Sequence, residues 1–242
     1  MVIGRWIFVR DAALEGPGSR WGRLTLAAIV VVGLIVLLPL RLVLGLAAPE
    51  NVSARSVEGS VWDGRIADLN LGLLPLGTVE AGLEPLPLLI GRAQFSVMRE
   101  GFSAKAYAGG GVSRANGSLA LPDGLGGLPV TAINFTDFSA GFAGGTCMQA
   151  EGTLGLTLAS LGPLLPDAIM LSGKARCEKG ALVVPMRGAQ GMEQLTLRLT
   201  GDGRWQADLT LSGLSQETAD ALRAGGFDTR PGGIGIATSG TF

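Results

Sequence analysis

The longest apolar run of the chain lies between Leu24 and Leu46, and Arg41 is its one charged residue. As a helix rising about 1.5 Å per residue, the segment 24–46 would be about 34 Å long, and a bilayer core is about 30 Å thick. Pro39 and Arg41 lie near one end, where a kink is tolerated and a long cationic side chain can reach the headgroups. The pattern therefore predicts a single transmembrane helix over 24–46.

The arginines on either side of this helix predict its orientation. The positive-inside rule makes residues 1–23 a cytoplasmic tail and residues 47–242 an exported domain. The alternative is a cleaved signal peptide ending near Ala47 and Ala48, but the apolar stretch exceeds the usual 7–15 residues of such a peptide. Both interpretations export the rest of the chain. The arginines counted are Arg5, Arg10, Arg20 and Arg23 before the helix, and Arg55 and Arg65 after it.

Beyond the helix, apolar and polar positions alternate. The clearest example is the segment 194–200, in which Leu195, Leu197 and Leu199 alternate with polar residues, and 205–212 repeats the pattern. Alternation of period two is typical of half-buried strands, and one solvated face is typical of antiparallel sheets. Glycine-containing turns separate the runs at hairpin distance. The sequence predicts a mainly β, antiparallel domain of about ten strands, built as a curved half-pipe, an open sheet or a sandwich.

One stretch after the anchor has a helical pattern. Ser215 is a good N-cap, Glu217 lies in the first turn, and Arg223 precedes Gly225 at the end. We expect a short helix here, before a last strand at 234–238. The proline- and leucine-containing stretches 85–90 and 161–166 are predicted to be irregular connections.

Composition argues against catalysis. The chain has no histidine, which removes the commonest general base and the commonest metal ligand. No serine lies in a G-x-S-x-G turn, and the 39 glycines fall mostly between the alternating runs. We therefore expect no enzyme activity, no catalytic residue, no cofactor and no metal site. The net charge is −1, and without a basic stripe nucleic acid is not an expected partner.

The two cysteines, Cys147 and Cys177, both lie in the exported part. In an oxidising compartment such a pair favours one disulfide, and the alternative is two buried free thiols. Closing a loop of about 30 residues would contribute about 3–4 kcal/mol on the chain-entropy model.

The segment from Gly59 to Gly64 reads Gly-Ser-Val-Trp-Asp-Gly and contains the most conspicuous aromatic residue, Trp62. Trp62 is predicted to pack in the core where the first strands turn, or to contact a partner. The apolar face of the sheet leaves two possibilities open. It is either a filled core or a groove that receives an acyl chain or a partner strand.

With Gly59–Arg65, the preceding apolar helix, the Leu-Pro turn near Gly91 and the ending Gly-Gly-Ile-Gly-Ile-Ala-Thr-Ser-Gly, the chain resembles the type II secretion system protein N family of Gram-negative bacteria. The resemblance covers residues 24–242. It implies a single-pass inner-membrane protein with a periplasmic domain. Such a protein would be a non-enzymatic accessory of the system that exports folded proteins across the outer membrane, and it would contact other inner-membrane subunits. The alternative is an anchored β-sheet module that binds or transfers lipid or lipopolysaccharide in the periplasm.

Overall fold

A computed structural model of the chain describes residues 19–47, 52–72, 74–107, 110–122, 124–125, 127–160 and 167–241. Residues 1–18 of the predicted tail and the predicted connection 161–166 lie outside the described residues. The chain divides into two compact units between Leu38 and Pro39.

The first unit contains helix α1 (Ser19–Val36). Large aliphatic side chains are exposed on all sides of this helix, from Leu24 to Val36. Within the described part of the chain, no helix is both long and apolar enough to span a membrane. The transmembrane helix predicted over 24–46 is therefore not confirmed.

The second unit begins with helix α2 (Leu40–Ala47). The predicted continuous helix is interrupted before it, because Pro39 has no backbone N–H to donate to the preceding turn. Leu40, Val43 and Leu44 recur at helical spacing and pack against the sheet. The C-terminal part of the predicted membrane segment thus belongs to the core of the sheet unit.

All strands of the second unit belong to one 16-stranded sheet, and its pairings are antiparallel. The strands are β1 (Val52–Ser53), β2 (Ser56–Gly59), β3 (Gly64–Leu71), β4 (Leu74–Leu83), β5 (Gln94–Arg99), β6 (Phe102–Tyr107), β7 (Gly111–Ala120), β8 (Val130–Ala143), β9 (Thr146–Leu158), β10 (Ile169–Lys174), β11 (Arg176–Glu178), β12 (Ala181–Gly188), β13 (Glu193–Leu199), β14 (Arg204–Leu211), β15 (Asp228–Arg230) and β16 (Gly233–Thr241).

The sheet is a meander in which most strands pair with their neighbours in sequence. β1 and β2 share one side of β3, and β10 and β11 share one side of β12. Ala175 separates β10 from β11 and donates its N–H to the Gly152 carbonyl (3.0 Å). The order runs from the β1/β2 edge to β15 without closing, so the predicted antiparallel open sheet is confirmed.

The chain leaves the meander once. β16 lies between β14 and β15, and helix α4 (Gln216–Ala224) connects β14 to the edge strand. The hydroxyl of Ser215 accepts a hydrogen bond from the N–H of Thr218 (3.2 Å), as expected of an N-cap. The predicted C-terminal helix is confirmed. A second short helix, α3 (Pro85–Leu88), begins with a proline at its first position, where the sequence predicts an irregular connection.

The apolar face of the sheet is packed in two clusters. The larger cluster extends from β6 to β16 and includes fully buried leucines such as Leu158 and Leu209, with Leu222 of α4 packed against them. The smaller cluster lies under α2. The buried leucines of the larger cluster fill the apolar face of the sheet between β6 and β16. This favours a filled core over a groove in that part of the sheet.

Candidate interaction site at the first hairpin

The motif predicted from the sequence forms the turn between β2 and β3. Gly59 and Gly64 are paired across the hairpin, and the N–H of Ser60 donates to the Asp63 carbonyl (3.1 Å). The Ser60 hydroxyl accepts the N–H of Asp63 (3.2 Å). Gly59 has a φ of +85°, and a Cβ there would lie 2.5 Å from the Asp63 carbonyl oxygen. The turn therefore requires glycine at its first position.

Gly64 has a different role, because helix α2 is seated over it. A Cβ on Gly64 would lie 2.3 Å from Cδ2 of Leu40 and 2.9 Å from the Ser60 carbonyl oxygen. Leu40 is only 2% exposed, and the residue before it, Pro39, forms an isolated bridge with Ser60. The glycine leaves room for the first residue of α2 against the hairpin.

The turn is also fixed from the other side, by strand β4. The Val61 carbonyl accepts the N–H of Leu83 (2.8 Å), and the Val61 side chain is fully buried. Trp62 is half-buried and packs against the smaller core cluster. Its carbonyl oxygen lies 2.4 Å from the position that a Cβ on Gly82 would take. This is the core packing predicted for Trp62, and its contact with a partner stays a prediction.

Beside this turn, the connection between β4 and β5 carries the most exposed aliphatic side chains of the described sheet unit. Leu86, Leu89 and Ile90 are 76%, 83% and 71% exposed. Strands β3 and β4 are paired from Gly64 and Ala81 onward, so the β2–β3 turn and the β4–β5 connection lie on the same rim of the sheet. We call this the entry rim, because the chain enters the sheet unit there at Pro39.

An ion pair lies where this connection leaves β4. Nζ of Lys105 lies 2.6 Å from Oε1 of Glu84, and Nε2 of Gln94 donates to Oε2 of the same carboxylate (2.8 Å). Both charged side chains are partly buried. Both carboxylate oxygens of Glu84 therefore have a partner on the neighbouring strands.

The two cysteines lie elsewhere on the entry rim. Cys147 of β9 and Cys177 of β11 form a disulfide with Cα atoms 5.6 Å apart. Beside it, the N–H of Cys147 donates to the Gly180 carbonyl (2.8 Å). The bond joins the second residue of β9 to the middle residue of β11, and so links the β8–β9 hairpin to the β11–β12 hairpin.

Among the described residues, no group of three or more potential metal ligands lies together, and no charged or polar side chain is buried. The pKa of Asp202 is lowered to about 2, chiefly by the Thr200 hydroxyl and then by Arg204. This carboxylate is exposed in the β13–β14 turn, so we interpret it as a turn-stabilising group.

Sequence reasoning located the turn and the cysteine pair but missed two features of the site. The sequence does not indicate that Leu40 packs on the hairpin, because apolar residues at 40–44 suit a lipid-facing helix and a protein core equally well. The sequence pattern predicts only an irregular connection at 85–90. The signal for its exposed tip is the run of aliphatic residues between prolines and a glycine, which is unusual for a loop.

The sheet unit coincides with a known family. The model of the family described as "Type II secretion system (T2SS), protein N" matches residues 50–237, which is most of the chain and nearly all of its strands. The chain belongs to this family. The family assignment predicted from the motif at 59–65 is therefore confirmed, and with it a role in type II secretion. No curated protein and no solved structure matches the chain.

Proposed function

We propose that this chain is an accessory component of the type II secretion system in the bacterial inner membrane, where it assists the export of folded proteins by protein–protein contact. The observation that carries the proposal is the family match over 50–237, which covers the sheet and the hairpin motif together. The open edges of the sheet support a contact role, since each can accept a strand from another chain.

In this proposal the protein is anchored by the N-terminal apolar segment. α1 has aliphatic residues on every face, with Leu24, Val30 and Leu34 more than half exposed. A helix that is apolar all round needs an apolar environment, which a bilayer provides. Because Leu40, Val43 and Leu44 pack on the sheet, the lipid-crossing part would lie before Pro39. The tail 1–23 would be cytoplasmic, and the sheet unit periplasmic.

The edges of the open sheet supply the surfaces for contact. Among the described strands, β15, β1 and β2 each have one side without a partner strand in the strand order. An unpaired edge can accept a strand from another chain, with main-chain hydrogen bonds providing affinity. We propose that other inner-membrane subunits of the secretion system are the partners.

Deletion of the gene tests the function. We expect proteins that use the type II system to accumulate in the periplasm, and plasmid-borne full-length chain to restore their release. Secretion that is unchanged by the deletion, in cells with no second copy, would contradict the proposal. A reporter active only in the periplasm, fused after Phe242, tests the orientation separately, and we expect it to be active.

The lipid-binding alternative has less support, because buried leucines fill the larger part of the inner face. Mass spectrometry of the full chain purified from membranes compares the two. Stoichiometric acyl lipid that survives delipidation would favour the alternative, whereas its loss would favour a contact role.

A further inference from the structure

We propose that the β4–β5 connection, residues 85–92, is a second membrane contact, in which Leu86, Leu89 and Ile90 enter the headgroup region of the inner membrane's periplasmic leaflet. The inference rests on the proposed anchorage and adds a site to it. It assigns a lipid surface, and not a protein, as the occupant of this apolar tip.

The large side chains of the tip are exposed. Leu86, Leu89 and Ile90 are 76%, 83% and 71% exposed although they lie within five residues of one another. Single exposed aliphatic residues are normal, but three large ones at a loop tip form a patch that water solvates poorly. The tip has a helical turn, α3, that fixes its shape. A preformed apolar projection is typical of a site that inserts into an interface.

The tip lies near the point where the chain enters the sheet unit. Pro39, where the chain passes from the apolar segment into the sheet unit, bridges Ser60. The next residue of that turn, Val61, accepts the N–H of Leu83, which ends β4. The tip begins two residues later. The entry point and the tip are therefore separated by a single turn on the entry rim, so the proposed anchor is connected to the sheet unit beside the tip.

The backbone of the tip has few N–H groups that need a partner outside it. Pro85 and Pro87 have no N–H, and the N–H groups of residues 89–92 are bonded within the tip. Unpaired backbone groups are costly in an apolar environment, so donors that are bonded within the tip suit it to lipid. A partner strand would instead require free donors. The internal bonds are Leu89 N–H to Leu86 O (3.2 Å), Ile90 N–H to Pro87 O (3.2 Å), Gly91 N–H to Leu88 O (2.9 Å) and Arg92 N–H to Pro87 O (2.9 Å).

The one charged residue of the tip is basic. Residues 85–92 contain no acidic side chain, and the tip ends in the exposed Arg92. Arg41, exposed in the first turn of α2, adds a second positive charge near the entry point. Of the neighbouring acids, Glu84 is paired with Lys105, and Asp63 remains exposed in the adjacent turn. Two arginines beside an apolar tip match a surface of anionic headgroups.

The test uses the full chain reconstituted in nanodiscs of phosphatidylethanolamine and phosphatidylglycerol. A Leu89→Cys variant is labelled with an environment-sensitive fluorophore, and Met170→Cys is the control. Met170 is also strongly exposed, at 73%, but lies at the start of β10, on the opposite rim. The native cysteines are joined in a disulfide and do not take up the label.

We expect a blue-shifted emission from position 89 and its quenching by nitroxide-bearing lipids at least twofold more strongly than at position 170. Equal, water-like emission from both positions in a chain that co-elutes with nanodiscs would overturn this inference and leave the anchorage standing. A blue shift without lipid quenching would also overturn it, because a protein would then cover the tip. A chain that fails to incorporate at all would contradict the anchorage and this inference together.

Discussion

Leu40 packs directly over Gly64: a Cβ on the glycine would lie 2.3 Å from Cδ2 of the leucine. One residue belongs to the apolar N-terminal segment and the other to the hairpin motif. The contact therefore joins two features that are separate in the sequence. The glycine is needed because the first residue of α2 occupies the space where its side chain would be. The sheet unit therefore begins with a helix that forms part of its own core.

Replacing Gly64 with alanine should destabilise the sheet unit. The added methyl group would crowd Leu40 and the Ser60 carbonyl, and overpacking of this kind costs about 1–3 kcal/mol. For a domain of this size we expect Tm to fall by about 2–4 °C per kcal/mol, measured by circular dichroism of the full chain in detergent. Gly141→Ala is the control, because nothing lies within 4 Å of a Cβ at that position. Equal melting of the two variants would contradict the docking of α2.

Two leucines of α2 provide a matched comparison. Leu40 is 2% exposed and Leu42 is 53% exposed. Truncating a buried leucine to alanine costs about 2–5 kcal/mol, whereas an exposed substitution stays within about 0.5 kcal/mol. We expect Leu40→Ala, but not Leu42→Ala, to lower Tm and to increase protease cleavage between α2 and β1. If Leu42→Ala were the more damaging, the helix would be oriented differently.

The Cys147–Cys177 bond should be a large contribution to stability. It closes a loop with a sequence separation of 30 residues, which on the chain-entropy model is worth about 3–4 kcal/mol. The double variant Cys147→Ser, Cys177→Ser should therefore unfold at a clearly lower urea concentration than the oxidised chain. Reduced wild-type chain is the control and should match the variant. Unchanged unfolding after reduction would show that the bond contributes little.

Asp202 should titrate at an unusually low pH. Its pKa is lowered from the ordinary 3.8 to about 2, first by the hydrogen bond from the Thr200 hydroxyl and then by Arg204. The stabilisation it provides is therefore present above pH 3.8 and is lost as the pH falls towards 2. Thr200→Val should raise the pKa of Asp202, followed by carboxyl NMR, while Thr200→Ser should preserve it. An equal pKa in both variants would mean that the hydroxyl is not the cause.

Much of the sheet could be predicted from local pattern. Leu195 and Leu197 in β13 alternate with polar residues, and the hairpin to β14 follows at its glycine turn. Strand β3 departs from the rule, because Asp68 has a φ of +49° beside a break in register. Because of this irregularity, Ile66 and Leu69 are both buried, whereas strict alternation would place Leu69 on the same face as Ala67. Nothing in the local pattern marks where alternation is interrupted.

The interaction site required tertiary information. Gly64 is identifiable as part of a motif, but Leu40, which packs against it, is remote in sequence. Leu40 also belongs to an apolar run that a membrane helix explains equally well. Ile90 and its neighbours are apolar, and apolar residues are ordinarily assigned to a core. Their exposure depends on which rim the loop occupies, and only the strand order determines that.

The most direct test of the central claim, that the sheet unit works on the periplasmic side of the inner membrane, is the oxidation state of its cysteines in living cells. Cells are quenched with acid, and free thiols are alkylated with a mass-adding reagent before electrophoresis. We predict that Cys147 and Cys177 resist alkylation in wild-type cells and are both modified in cells that lack the periplasmic thiol oxidant, because disulfides form in the periplasm and not in the cytosol. Two alkylated thiols in wild-type cells would contradict the account.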